Sequence, residues 1–486
     1  MKKRDRIMNW NGPHNSHHLT VATCISAAML LVGCASDGTN GTAAQIGPVP
    51  TEWSTQTLSG ETNDAWWLRF EDPRLTELIE VAQLQNTGIR QADARTRQAL
   101  AQAGIALSDR LPQLGGVLNA ANQKQSLAGF PIPGGGATSA ETKTYGVSLN
   151  VSWEIDLWGR LAAQSRAARL DYLASEETFR LVRQSIAAQT AKAYFAVIEA
   201  REQVEFAEST VTALTETARQ VGNRADIGVA SPTDKFLSIT NLETARAGLQ
   251  QRRDAQQQSA RQLETLLRDY PAGGILTPDA LPRVPPHPPA GVPADLLLRR
   301  PDIQAAERSL HASGLRTAVA RRAFLPAISL TGSTGGQSSE LENLLDGDFS
   351  VWSIAGQVVQ PIFQGGRLRA NVDLARARQD EAAEAYVETA LQALREVESS
   401  LASDAYLTER ERSLLAGAEA AENAQTIAFN RYEQGLTPFI TVLESQQRAI
   451  DTRSAWIAAR RARLDNRVDL HLALGGSFSS PEELIQ

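Results

Sequence analysis

The stretch NRADIGVASPTD (223–234) returns as NRYEQGLTPFIT (430–441), 207 positions further along the chain. Both copies begin with Asn-Arg, carry a glycine five residues after the Asn, and continue to Ser-Pro or Thr-Pro. Gly228 and Gly435 suit the left-handed residue that ends an α-helix, because glycine adopts positive φ without steric cost. The two copies therefore predict two helix ends of the same design.

The residues after each glycine predict the start of a second helix. Ser231 and Thr437 suit the N-cap, where a side-chain oxygen accepts a backbone N–H. A proline follows each of them at the first helical position. Each motif is then a tip at which one helix turns back into another, and its duplication predicts two tandem structural repeats.

The segment before each tip predicts a very long helix. From Arg160 to about Arg224 there is no proline, and glycine occurs only at Gly222. Such a helix is about 100 Å long, and the segment from Arg367 to about Tyr432 repeats its length. Small apolar residues, spaced alternately four and three apart, predict a coiled-coil seam: Ala193, Val197, Ala200, Val204, Ala207, Val211 and Leu214.

Shorter helices are predicted beside the long ones. Two precede the strand segments, at roughly 75–108 and 302–323, and two follow the tips, at roughly 233–268 and 439–473. Each such pair approximately matches one long helix in length. We therefore expect two short helices, stacked end to end, to lie alongside each long helix.

YGVSLNVSWEIDL (145–157) alternates without a break between apolar residues and small or polar ones. This length of strict alternation exceeds a typical globular strand and fits a tilted membrane strand with apolar side chains outward. Residues 34–486 contain no apolar run long enough for a membrane helix, so a membrane crossing has to use strands. A strand of a soluble sandwich is the alternative.

Each repeat is predicted to supply one β-hairpin. LPQLGGVLNAANQ (111–123) pairs with 145–157 across a Gly/Pro/Ser-rich loop, which gives a hairpin over 111–157. LPAISLTGSTGG and SVWSIAGQVVQPIF give the second hairpin over 325–363. The expected fold is a mixed α and β membrane protein with four strands per chain.

The first 33 residues have the features of a lipoprotein signal peptide. MKKRDR is a positive n-region, and LTVATCISAAMLLVG is an apolar stretch too short for a membrane span. LVGC (31–34) resembles the bacterial lipoprotein cleavage box, which implies that Cys34 is acylated and begins the mature chain. Ala35 after it favours export to the outer membrane. The alternative is an ordinary secretory signal that leaves Cys34 as a free thiol, a liability in an oxidising compartment.

The remaining boundaries follow from the repeats and from composition. Residues 34–70 are predicted as a lipid-anchored arm that is extended over 35–60. Residues 71–280 and 302–473 are the two repeats, and 474–486 is a C-terminal tail. The Pro-rich linker between the repeats, 281–301, is predicted to be stiff.

Composition argues against catalysis and against nucleic-acid binding. The formal net charge is −7, so no basic surface is indicated. After residue 34 the chain has three scattered His and no Met, and no nucleophile elbow, phosphate loop or metal-spaced cluster occurs. We predict a protein that is not an enzyme and that needs no metal or cofactor besides the lipid on Cys34.

Several stretches resemble the outer-membrane factors, the TolC-like efflux ducts, and particularly their NodT-type lipoprotein branch. These are WEIDLWGRL (153–161), LLLRRPDIQAAERSLHASGLRTAVARRAFLPAISLTGS (296–333), PIFQGGRLRA (361–370) and the two tip motifs. The resemblance implies a homotrimer whose twelve strands close a transmembrane barrel, continuous with a coiled-coil barrel that crosses the periplasm. Twelve strands leave an open lumen, whereas eight are filled by their own side chains.

The resemblance also implies partners. They are a periplasmic adaptor and an inner-membrane pump, which we expect to be of the resistance–nodulation–division type. The expected cargo is small organic molecules, because a thioether path for copper or silver needs methionine and the mature chain has none. The alternatives are a duct for protein secretion and a periplasmic coiled-coil scaffold that does not span the membrane.

The resemblance places adaptor docking at the tips. The residues expected to dock expose backbone and small side chains where two helices turn: Gly228, Val229, Ala230, Gly435, Leu436 and Thr437. Termination of the helices by the two glycines is compatible with this role.

By residue matching, Asp234 and Tyr432 fall on the positions of a carboxylate–phenol link that holds the family's inner coiled coil closed. Thr437 departs from the best-known pattern, in which an Arg strengthens this lock, so a looser closure is expected here. The alternative for Asp234, three residues after Ser231, is the acid of a capping box.

The family places inward carboxylates six and nine residues after the second tip glycine. These positions are Thr441 and Glu444 here, so one acidic ring of the periplasmic gate is expected instead of two. A threefold axis would bring three Glu444 carboxylates together, and like charges that close attract cations. The alternative is a surface Glu444 paired with Arg448 one turn later.

Overall fold

A computed structural model describes residues 50–54, 65–126, 139–288 and 290–475 of the chain. The predicted signal peptide, Cys34, most of the predicted arm and nearly all of the predicted tail lie outside these residues. The loop of the first β-hairpin, 127–138, also lies outside them.

Helices and strands follow one another in the predicted order. The helices are α1 (Pro73–Gln85), α2 (Thr87–Ser108), α3 (Arg160–Asp226), α4 (Pro232–Leu266), α5 (Pro293–Arg299), α6 (Pro301–Arg322), α7 (Arg367–Glu433) and α8 (Phe439–Ala473). The strands are β1 (Gln113–Ser126), β2 (Ser139–Ile155), β3 (Ala327–Ser338) and β4 (Ser350–Val359).

The two halves of the chain use helices of equal length. The long helices α3 and α7 each contain 67 residues, and the return helices α4 and α8 each contain 35. Helix α3 packs against α2, α4 and α6, and α7 packs against α6 and α8. Short helices therefore lie alongside the long ones, as predicted, and α6 contacts both long helices.

The predicted coiled-coil seam of α3 is confirmed. Its residues are buried, apart from Val211, which is partly buried against Val204, Ala207 and Leu249. Alanine and valine along the seam let the backbones of α3 and α4 approach closely. Burial of the seam stabilises this part of α3 by tertiary packing, which contributes more to helix stability than local propensity does.

The single helix predicted over 75–108 is wrong, because the chain breaks at Asn86 between α1 and α2. The Asn86 side chain accepts a hydrogen bond from the Gly88 backbone N–H at 2.8 Å and donates one to the Leu266 carbonyl oxygen at 2.8 Å. Asn86 thus caps α2 and ties its start to the end of α4. A side chain that competes for backbone groups in this way interrupts a helix.

Two segments predicted to be irregular contain helical turns. Trp66–Phe70, at the end of the predicted arm, forms a 3₁₀-helix that buries Trp66, Trp67 and Phe70 in a core with α1, α3 and α8. The predicted linker over 281–301 contains the short helix α5. Burial of Trp66, Trp67 and Phe70 in the first segment and of Leu296 in the second favours an ordered backbone.

The four strands form one antiparallel sheet in the order β1-β2-β3-β4. Leu114 lies opposite Val151, Val151 opposite Gly332, and Gly332 opposite Ile354, so this row of side chains shares one face. The next row, on the other face, consists of Gly115, Asn150, Ser333 and Ser353. In these rows one face of the sheet is apolar and the other is polar, although Val117 and Val351 also lie on the polar face.

The strand ends are joined firmly to the helices. Asp156 follows β2, and its carboxylate accepts the backbone N–H groups of Leu161 at 3.1 Å and Ala162 at 2.7 Å. Trp158 Nε1 donates to the Pro326 carbonyl oxygen at 2.7 Å, which joins the first half of the chain to the start of β3. These contacts set the direction in which α3 leaves the sheet.

No helix among the described residues is both long and apolar enough to cross a membrane.

His471 lies in the core beside the 3₁₀-helix. It is 4% exposed, and its ring stacks on Trp66 with centroids 5.7 Å apart. Burial, together with the positive charges of Arg69 and Arg467, lowers the pKa of His471 from 6.5 to about 3. Below pH 6.5 His471 becomes protonated in the unfolded chain but stays neutral in the folded protein. A lower pH therefore favours unfolding.

We predict that His471→Leu reduces the loss of stability in acid. Relative to the variant, the free energy of unfolding of the wild-type protein should fall by roughly 1.4 kcal/mol for each pH unit below about 6.5. The measurement is the melting temperature of both proteins, by circular dichroism, at pH 7.5 and pH 5.5. His311→Leu, at an exposed histidine, is the control. Equal acid shifts in the wild type and His471→Leu would show that His471 is protonated in the folded protein.

Candidate functional site at the helical tips

The two tips are built by the same hydrogen bonds. At the first tip the Val229 N–H reaches the Arg224 carbonyl oxygen at 2.8 Å, and the Gly228 N–H reaches that of Ala225 at 3.0 Å. Gly228 has φ 78°, in the left-handed region. This pair of bonds is a Schellman motif, which satisfies carbonyls that the helix end leaves free.

The second tip repeats this geometry. The Leu436 N–H reaches the Arg431 carbonyl oxygen at 2.9 Å, and the Gly435 N–H reaches that of Tyr432 at 2.9 Å. Gly435 has φ 74°. The predicted role of both glycines in ending the long helices is confirmed.

The caps of the return helices differ between the tips. Ser231 is the N-cap of α4, and its hydroxyl accepts the Asp234 N–H at 3.2 Å, as in one half of a capping box. The predicted N-cap role of Thr437 is wrong. The second tip has one residue fewer between its glycine and its proline, so α8 starts after Pro438. The Thr437 hydroxyl is buried and has no hydrogen-bond partner among the described residues.

The residues predicted to dock a partner lie at the surface of the protomer. Val229 is 61% exposed and Leu436 is 62% exposed, while Ala230 and Thr437 are half-buried. A salt bridge from Lys235 to Asp226, at 2.6 Å, crosses the first tip and holds its shape. The tips thus present exposed apolar side chains on a rigid turn.

Tyr432 lies at the point where the two tips meet. Its ring packs in a small core formed by Val221 of α3, Ala428 of α7, and Phe439 and Val442 of α8. Burial raises the pKa of the Tyr432 phenol, and the charge of Asp234 raises it further, while Arg224 opposes this shift. Asp234 and Arg224 are therefore close to the phenol, yet neither makes a hydrogen bond of normal geometry with its oxygen.

The structure thus brings Asp234 and Tyr432 together without forming the predicted bond between them. The Arg224 guanidinium carbon lies 5.5 Å from the centre of the Tyr432 ring, a cation–π contact. Arg224 is not among the residues predicted from the sequence. The sequence feature that could have indicated it is the Asn-Arg pair shared by both tip motifs.

Thr441 and Glu444 are both exposed near the start of α8. The alternative contact of Glu444 with Arg448 is not made, and Glu444 forms no ion pair with any residue that the structure describes. Within the described part of the chain, no group of three or more His, Cys, Asp and Glu is placed to hold a metal ion.

Polar contacts between helices tie the two helical hairpins together above the tips. Gln446 of α8 accepts from Asn241 of α4 at 3.2 Å and donates to Thr217 of α3 at 3.5 Å. Further along, Arg252 of α4 donates to Gln203 of α3 at 2.6 Å and to Ser454 of α8 at 3.0 Å. Neither network could be predicted from local sequence patterns, because their members are separated by tens to hundreds of residues.

The comparison with known proteins assigns the chain to a family. The family model described as outer membrane efflux protein matches residues 78–267 and 292–476. The solvent efflux pump outer membrane protein SrpC of Pseudomonas putida is 32% identical over 451 residues, covering 89% of this chain and 93% of the relative. The cation efflux system protein CusC of Escherichia coli is 30% identical over 444 residues, covering 89% and 93%.

A solved structure agrees with the sequence match. The crystal structure of the Campylobacter jejuni CmeC outer membrane channel aligns with a TM-score of 0.81 at 26% identity, covering 89% of this chain and 92% of that one. The chain therefore belongs to the outer membrane efflux protein family and is an outer membrane component of an efflux system.

Proposed function

We propose that three copies of this chain form a continuous duct through the outer membrane and into the periplasm. The observation that carries this proposal is the sheet of β1 to β4, which has one apolar face and two edge strands. Within the described residues, β1 and β4 each pair with one strand only. In a membrane every backbone polar group needs a partner, so these edges have to pair with other copies.

The strand count favours three copies. Two sheets of four strands would give a barrel filled by its own side chains, whereas three sheets give twelve strands around an open lumen. The apolar row with Leu114 and Ile354 then faces lipid, and the polar row with Asn150 and Ser353 faces the lumen. Helices α3 and α7, each about 100 Å long, continue the duct as tandem repeats of one hairpin.

The cargo we propose is small organic molecules, delivered by a periplasmic adaptor and an inner-membrane pump of the resistance–nodulation–division type. The solvent efflux of SrpC supports an organic cargo. CusC serves cation efflux, but the present chain has no Met after residue 34, so it lacks soft thioether ligands for copper or silver. An acyl chain on Cys34 would add a second attachment to the outer membrane.

The gate we propose is a ring of three Glu444 carboxylates, with Thr441 in place of a second acidic ring. It is supported by the exposure of both residues and by the absence of an ion pair to Glu444 among the described residues. Closure would also use the link between Asp234 and Tyr432, whose groups are close but not bonded.

If the sheet forms the proposed barrel, arginine should have different effects at two adjacent residues of β4. Ile354 is 80% exposed and lies on the apolar face, and Ser353 lies on the polar face. We expect Ile354→Arg to reduce trimer assembly, since a lipid-facing Arg near the bilayer midplane costs about 2–4 kcal/mol. Ser353→Arg should assemble normally, because its side chain would lie in the lumen.

The measurement is the amount of heat-modifiable trimer on a gel, together with the conductance of the purified protein in lipid bilayers. Equal assembly of the two variants would contradict the proposed orientation of the sheet. A wild-type protein that is monomeric and does not conduct would contradict the duct itself.

The tips are proposed to dock the adaptor. Leu436→Asp leaves the Schellman turn intact but places a charge where apolar contact is expected, so it should abolish adaptor cross-linking and efflux. Leu276→Asp is the control, because Leu276 is also exposed, at 82%, but lies in the loop after α4, away from the tips. Wild-type cross-linking in Leu436→Asp would rule out docking at this tip.

The gate is tested by cation block. A trivalent cation on the periplasmic side should block the wild-type trimer, and Glu444→Gln should remove most of the block while thermal stability stays the same. Thr441→Asp adds a second acidic ring and should tighten the block. Block that survives in Glu444→Gln would place the cation site elsewhere.

A further inference from the structure

A cavity of about 280 Å³ lies where the sheet meets the helices, beside the ends of β2, β4 and α6 and the start of β3. The strands contribute Glu154, Ala327 and Val359 to its wall. The register places these three residues on the same face of the sheet as Asn150 and Ser353. In the proposed duct that face lines the lumen, so the cavity would open into the lumen at the base of the barrel.

The charged groups of the cavity wall already have partners within the protein. Arg160 Nη2 donates to both carboxylate oxygens of Glu154, at 2.7 and 2.9 Å. Arg322 Nη1 donates to the Gly159 carbonyl oxygen at 2.8 Å, and the Asp156 carboxylate accepts two backbone N–H groups of α3. Two arginines and two carboxylates leave the wall without net charge. A charged ligand would therefore lose its hydration there and gain no opposite charge that is free to compensate it.

One polar group of the wall keeps hydrogens that it can donate. Gln364 Oε1 accepts hydrogen bonds from Arg367, at 2.8 and 3.2 Å, and these bonds orient the amide. The amide nitrogen, Gln364 Nε2, donates to no residue that the structure describes. An amide nitrogen carries two hydrogens, so Gln364 can donate to an oxygen atom of a bound molecule.

The rest of the wall is mostly apolar. It includes Leu325, Pro326, Val359 and Pro361, and Leu325 is 36% exposed and Val359 is 50% exposed. Apolar surface in a concave site favours an apolar ligand, because binding removes both surfaces from water. The hydrogen bond from Trp158 Nε1 to the Pro326 carbonyl oxygen holds this part of the wall in place, so little has to be ordered when a ligand binds.

The volume of the cavity limits the size of its ligand. A protein cavity of roughly 150 Å³ holds benzene. A cavity about twice as large has room for two fused rings, or about ten non-hydrogen atoms. The wall thus suits a small molecule that is neutral, has an apolar ring system and carries an oxygen atom for Gln364.

We propose that this cavity is a transient binding site for neutral aromatic alcohols that pass through the duct. The inference rests on the proposed function and adds to it a class of cargo and a place on the cargo's path. A duct has to release what it binds, so binding is weak, with a dissociation constant on the order of 1 mM. The ring lies against the apolar wall, and the hydroxyl oxygen accepts a hydrogen bond from Gln364.

The test measures how fast an introduced cysteine reacts with a water-soluble thiol reagent in purified full-length trimers. The chain has no cysteine after Cys34, so the unmodified protein gives the background reaction. The probe is 2-naphthol, which is neutral at neutral pH and has two fused rings and one hydroxyl. At a concentration of roughly four times the dissociation constant, 2-naphthol should slow the reaction of Ala327→Cys about fivefold.

Two controls separate binding in the cavity from general effects. Ser353→Cys lies on the same face and is exposed but is not part of the cavity wall, so its reaction rate should not change. Naphthalene-2-sulfonate has the same rings with a negative charge and should protect Ala327→Cys much less. If Ala327→Cys does not assemble, Val359→Cys, which lies opposite it in the sheet, replaces it as the reporter.

The hydrogen bond is tested in the Ala327→Cys background. Gln364→Leu should raise the concentration of 2-naphthol that gives half-maximal protection about threefold to tenfold, the effect of losing one hydrogen bond. Gln357→Leu is the matched control, because Gln357 is an exposed glutamine on the same face but outside the cavity wall. Equal effects of the two substitutions would overturn the role of Gln364.

The remaining outcomes separate this inference from the proposed function. Trimers that conduct but whose Ala327→Cys is not protected would overturn the binding site and leave the duct standing. Equal protection of Ser353→Cys, or equal protection by the sulfonate, would also overturn the site. A wild-type protein that does not conduct would contradict the duct itself.

Discussion

Under the proposed function, the backbone hydrogen bonds of the two edge strands constrain the rest of the structure. In lipid no water is available to satisfy the N–H and C=O groups of β1 and β4, so these groups need other partners. In the proposed duct, further copies of the same sheet would supply them. Under the proposed threefold closure, every helix that leaves the sheet is placed around a common axis, and the tips meet near that axis. Passage would then depend on a handful of residues at one end of a long tube.

The two halves share a scaffold but differ in chemistry. The helix lengths are equal, and the tips have the same Schellman bonds at Gly228 and Gly435. The residues placed on these turns are different. One half contributes Arg224 and Asp234, and the other contributes Tyr432. Duplication thus explains the architecture, while divergence between the copies allows complementary groups to meet.

Different contacts hold the helices together along their length. Small apolar residues hold α3 against α4 along the seam, and the core around Trp66 anchors the hairpins near their midpoint. Nearer the tips, the polar network of Gln446 joins the two hairpins, and at the tips the small apolar core around Tyr432 joins them. Contact between the hairpins is therefore partly polar and partly apolar at this end of the helices.

The sequence by itself determined the features that depend on near neighbours. Helix length follows from the absence of proline, the strand faces follow from alternation, and the turns at Gly228 and Gly435 follow from positive φ. Only the tertiary structure decided the break at Asn86, whose side chain bonds to Leu266 far away in the sequence. It also decided that Arg224 stacks on Tyr432 and that Glu444 stands without an ion partner among the described residues. The physical reason is that periodicity and local sterics act over a few residues, whereas a side chain's partner is set by which distant helix packs against it.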